Sequence, residues 1–181
     1  MTIEQILSIH GGTADEWHQH QNGGGWVQYT ATVEETAYVG PSAQVYGDAR
    51  VYGAARVYGA AWVYGDARVY GAARVYGDAR VYGDAQVYGA AQVYGDAWDS
   101  SPLYIQGSVH PITVSSHTEV LIGCKKHTIG WWVDHYAEVG KGEGYTEAQI
   151  VEYGALLAAV KVWMEAKFWV SEEDETERAR R

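Results

Sequence analysis

The chain has 181 residues and a formal net charge of −10, with one cysteine, one phenylalanine and 15 tyrosines. It has no apolar run of about 18 residues, which excludes a membrane-spanning helix, and a lone cysteine, Cys124, excludes an internal disulfide framework and fits a reducing cytoplasm. The first ten residues carry neither Lys nor Arg and no long apolar run, so no secretory leader is expected. Excess acid argues against duplex nucleic acid as a partner, because neutralising phosphates takes surplus cations.

Residues 1–24 are expected to form a cap. Thr2 and Gln5 have the spacing of a capping box, and Ile3, Ile6 and Leu7 give the following helix an apolar side. His10 to Gly25 reads as a polar loop that leaves His18 and His20 exposed. Its three glycines, Gly23 to Gly25, lack the Gly-Lys-Ser/Thr ending of a phosphate loop.

Residues 25–98 are a repeat. From Val45 to Trp98 the chain is nine hexapeptides of the form Val-Tyr-Gly-(Asp/Ala)-Ala-(Arg/Gln/Trp), and Val27, Val33 and Val39 extend the register backwards. A helix is excluded, since glycine every six residues would cost about 1 kcal/mol each time. Short strands that bury Val and the Ala two residues before it fit the pattern, with Tyr and the residue before Val on the outer face. A slower period is superimposed: Asp48, Asp66 and Asp84 fall 18 apart, as do Arg50 and Arg68, and Arg56 and Arg74. Three hexads per coil make a triangular prism of about four coils.

Outside the prism the chain is acidic, whereas residues 44–98 balance five Arg with five Asp. Residues 99–170 are expected to form an α+β extension. Strands are predicted over Ile112–Val114 and Val120–Ile122, and a helix over Ile129–Val139. A second capping box, Thr146 and Gln149, opens a long helix with Ile150, Tyr153, Leu157, Val160, Met164 and Phe168 on one side. Residues 171–181 form an acidic tail.

The Val-Tyr-Gly hexads from Val27 to Ala97 resemble the hexapeptide-repeat, left-handed β-helix family, the architecture of many trimeric acyltransferases. The resemblance implies an all-β solenoid with a left-handed parallel β-helix, a homotrimer of parallel prisms, and ligands in the clefts between prisms. With Ile122-Gly123-Cys124 and Gly144-Tyr145-Thr146-Glu147 added, the chain also resembles Val-Tyr-Gly repeat proteins of phages and gut bacteria.

Acyltransferases of that family place a catalytic histidine on the rod or on a loop protruding from it, and related zinc prisms use histidines of adjacent coils. Residues 21–109 contain no histidine and no loop interrupts residues 27–97. A coenzyme A-dependent acyltransferase would therefore draw its base from His110, His117 or His127 of a neighbouring subunit, and Cys124, activated by His127, is the candidate nucleophile. Cys124 and His127 also have the spacing of half a zinc site, although no metal and no cofactor is expected.

The outward columns are the main candidate surface. Arg50 and Arg68 form one, Arg56 and Arg74 another, each beside tyrosines such as Tyr52, Tyr70 and Tyr88. Arginine beside aromatic faces suits an anionic, nucleotide-like ligand. The third column carries Trp26, Trp62 and Trp98, read as a subunit interface because so many exposed aromatics are unusual for a monomer. The leading expectation is a non-catalytic binding protein of the cytoplasm. In a phage setting it would sequester a host signal molecule in the host cytoplasm. The alternatives are the acyltransferase and a trimeric rod or scaffold for a host protein.

Overall fold

The computed structural model describes residues 1–168, so the acidic tail at 171–181 lies outside the described residues. The chain divides into two compact units, Met1–Tyr104 and Ile105–Arg181.

The first unit is a β-solenoid. Each hexad contributes a strand of two or three residues, and these stack into three sheets of parallel coil strands. Neighbours in a sheet are 18 residues apart: Arg50 pairs with Arg68 and Val51 with Val69, just as Arg56 pairs with Arg74 and Val57 with Val75. Backbone bonds tie coil to coil, for instance from Tyr52 N–H to Val69 O at 3.0 Å. The column valines from Val39 to Val93 and the alanine two residues before each of them, Ala37 to Ala91, are fully buried, so the interior is a column of small apolar side chains. From Gly47 to Gly95, glycine closes each corner in the left-handed region. At Gly59, φ is 69° and an added Cβ would lie 2.8 Å from Gly77 N, so both backbone angle and coil spacing require glycine there.

The start of the solenoid differs from the expected polar loop. Trp17–Gln19 is a strand that pairs antiparallel with Trp26–Gln28 and so occupies the first edge. Helix α1 (Ile3–His10), closed by the Thr2–Gln5 capping box, packs Ile6 against Trp17 and Trp26. His20, expected to be exposed, is buried in the hairpin turn, where the Asn22 N–H lies 3.3 Å from its Nδ1. His18 stacks on Tyr29 at 4.6 Å and burial lowers its pKa.

The tryptophan column is also corrected. Trp26 is buried beneath the start of the chain, its Nε1 donating to Met1 O at 3.1 Å. Trp98 faces inward: it pairs with Val81, while Ala97 takes the place opposite Arg80. The next hexad register would have put Asp99 in the valine column. A buried carboxylate without a partner is far costlier than a one-residue slip, so the indole takes the interior position and is 1% exposed. Of the three indoles only Trp62 keeps an outward position, partly exposed.

In the second unit, strands Pro111–Val114, Glu119–Ile122 and Lys125–Thr128 form an antiparallel meander. The last of these has no apolar alternation and was not expected. Gly123 at φ 59° begins the two-residue turn that leads into it. Thr128 then caps helix α2 (Ile129–Gly142), accepting from Trp131 N–H at 3.3 Å. Helix α3 (Glu147–Phe168) follows the predicted capping box and buries Tyr153, Leu157, Val160 and Met164. No helix among the described residues is long and apolar enough to cross a membrane.

Candidate functional site

Two regions hold the residues singled out from sequence. On the solenoid, Arg50 and Arg68 are exposed neighbours in one sheet, and Arg56 and Arg74 in another. Adjacent strands lie about 4.8 Å apart, so each pair holds two like charges one strand spacing from each other. Among the described residues, no carboxylate lies within ion-pairing distance of these four guanidinium groups.

The tyrosines two positions on form ladders. Tyr52 stacks on Tyr70 at 5.0 Å and Tyr70 on Tyr88 at 5.6 Å, with planes within 18° of parallel. Tyr58 stacks on Tyr76 at 5.2 Å, and Tyr46 on Tyr64 at 4.8 Å. The Tyr70 hydroxyl donates to Gln86 Oε1 at 3.3 Å, linking its ladder to the arginine column.

Cation–π contacts run along the columns, between register partners of successive coils. Arg56 lies over Tyr38 and Arg80 over Trp62, each 4.8 Å from the ring centroid. Beneath Trp62 the surface closes: Gln44 is fully buried and bonded to His10, which packs against Tyr46 at 4.5 Å. Burial, reinforced by Tyr64 and opposed by Arg80, pushes the Tyr46 hydroxyl up to about 12.

The second region is concave and lies in the C-terminal unit. Trp132, Tyr136, Val139, Gly140 and Glu143 recur along one face of α2 and its end, and enclose a cavity of about 330 Å³ with the Ile122–Lys125 turn. His110, Tyr145 and Tyr153 complete it. Cys124 sits in that turn, exposed. Lys125 pairs with Glu143 at 3.1 Å on the rim.

The histidines of the acyltransferase alternative do not converge. His110 borders this cavity, His117 stacks on Phe168 at 4.3 Å, and His127 stacks on Trp131 at 3.6 Å. Among the described residues no group of three or more His, Cys, Asp or Glu side chains gathers as metal ligands would, so the Cys124–His127 half-site finds no second pair. The cavity escaped the sequence reading because its residues come from five separate segments. The only signal was the period of Trp132, Tyr136, Val139 and Glu143 on one helix.

Three stacked sheets with an 18-residue coil make the chain a β-solenoid repeat protein. The family described as YdcK beta solenoid repeat matches it over residues 43–59, 61–75 and 73–89, all within the solenoid. No curated protein and no solved structure matches the chain.

Proposed function

We propose that this chain is a non-catalytic binding protein of the cytoplasm. Its solenoids associate as a parallel homotrimer, as in the acyltransferase-type hexapeptide prisms they resemble, and the clefts between them hold an anionic, nucleotide-like small molecule. One observation carries this reading. Arg50 stands beside Arg68 and Arg56 beside Arg74, with no carboxylate of the described residues in ion-pairing reach. Like charges directly opposite in a sheet are destabilising, and a bridging anion turns that repulsion into charge-assisted hydrogen bonds. The Tyr52–Tyr70–Tyr88 ladder beside the Arg50 column offers faces on which a base can stack. By the likeness to phage repeat proteins, binding without turnover amounts to sequestering a host signal molecule.

Calorimetric titration with a panel of nucleoside mono- and diphosphates and cyclic nucleotides tests the reading. At least one member should bind, and Arg50→Ala with Arg68→Ala should weaken it by roughly a hundredfold or more, since each charge-assisted bond contributes about 1.5–3 kcal/mol. Unaltered affinity in the folded double variant would remove the arginine columns from the site. Turnover of acetyl-coenzyme A, lost on replacing His110, His117 and His127, would favour the acyltransferase. Neither binding nor turnover would leave a rod or a scaffold for a protein partner.

A further inference from the structure

The cavity of the C-terminal unit is built like a receptor for a different ligand. Five π systems line its 330 Å³: His110, Trp132, Tyr136, Tyr145 and Tyr153. That volume falls at the small end of ligand pockets, which span about 300–1,000 Å³.

The wall is held from behind. Trp132 Nε1 donates to Val120 O at 2.9 Å, and the Tyr153 hydroxyl donates to His110 O and accepts from His110 N–H, both at 2.6 Å. Glycine makes room where rings approach the backbone. An added Cβ at Gly123 would lie 3.1 Å from the His110 ring, and one at Gly154 would lie 2.7 Å from the Tyr136 hydroxyl. Rings fixed before a ligand arrives lose little freedom when it binds.

The charges around this wall disfavour an anion. Glu143 lines the cavity, and Lys125, its one lysine, is already paired with Glu143 at 3.1 Å. Glu152 lies close by on α3, accepting from Ser108 N–H at 2.8 Å and from the Ser108 hydroxyl. Burial first, then Tyr153 and these two carboxylates, push the Tyr145 hydroxyl up to about 12. A π-rich wall in a negative field attracts positive charge, because the faces of aromatic rings are their electron-rich sides.

We propose that this cavity binds a small organic ammonium ion with an apolar body, the cationic group against the tyrosine and tryptophan rings and nearest Glu143. The site is independent of the arginine columns of the solenoid and serves a ligand of opposite charge.

Three probes with one body and different charge test it: benzyltrimethylammonium, benzyl alcohol and phenylacetate, each titrated calorimetrically into the full chain. The cation should bind about tenfold or more tighter than either of the others. Tyr136→Leu and Glu143→Gln should each reduce that preference, whereas Tyr136→Phe, which keeps the ring, should preserve it. Arg50→Ala with Arg68→Ala should leave it unchanged, which separates this site from the solenoid columns. Should Tyr136→Leu not fold, Glu143→Gln, half exposed at the rim, carries the test alone. Absence of cation binding, phenylacetate binding as tightly as the cation, or a preference unaffected by Glu143→Gln would overturn the proposal.

Discussion

Trp98 pairs with Val81 rather than with Arg80, and so enters the column that valines fill in every earlier coil. Its indole is 1% exposed. Trp98→Ala would leave a void at the end of a column packed with small side chains. The expected loss is about 3–5 kcal/mol, read from chemical or thermal unfolding. A loss below about 1 kcal/mol would place the indole outside the core.

Neighbouring residues on opposite faces should respond oppositely to the same change. Val69 is fully buried and Arg68 is exposed. Val69→Asp should unfold the solenoid or lower its stability by about 3–5 kcal/mol, whereas Arg68→Asp should shift it by less than about 1 kcal/mol. Circular dichroism melts of the two variants decide whether the valine column faces inward.

Two corner glycines separate steric from conformational cost. Gly59 and Gly95 both have positive φ, at 69° and 77°, but a Cβ at Gly59 would press on Gly77 while one at Gly95 meets nothing within 4 Å. Gly95→Ala should lose about 1–2 kcal/mol from the left-handed backbone alone. Gly59→Ala should lose measurably more, because the coil above has to move. Equal losses would mean that coil spacing is not limiting.

Tyr46 and Tyr145 are held protonated to about 12, in each case mainly by burial. An ultraviolet titration should show these two phenols ionising well above the ordinary phenol value, toward about 12. The folded state then keeps protons that the unfolded chain releases near pH 10, the ordinary phenol value. Their contribution to stability is thus intact below about pH 10 and is lost as pH rises toward about 12. Tyr46→Phe should remove one late phenol from the titration.

The repeat was legible because its constraints are local and periodic. Valine every six residues, with glycine two further on, specifies strand, corner and interior, and the 18-residue repeat of Asp48, Asp66 and Asp84 specifies three sides. The slip at Trp98 was not legible by counting columns, although Asp99 in the next valine position carried the physical reason. Lys125–Thr128 escaped because an exposed strand of Lys, Lys, His and Thr has no period-two pattern. His20 looked exposed because its neighbours are polar, and only the pairing of Trp17–Gln19 with the first coil folds it inward. The arginine columns were legible as columns, but the absence of nearby carboxylates among the described residues needed coordinates. Within the cavity, His110 and Cys124 were picked out for their chemistry, whereas Tyr145 and Tyr153 join them only through tertiary packing.

On the proposed function the solenoid assembles and captures an anion without transforming it. Native mass spectrometry of the full chain, purified without added ligand, addresses both halves at once. The expected result is a homotrimer that carries a small anionic molecule, released unaltered on denaturation, and no such molecule in the Arg50→Ala, Arg68→Ala variant. A monomer that carries no small molecule, in preparations where the protein is folded, would contradict it.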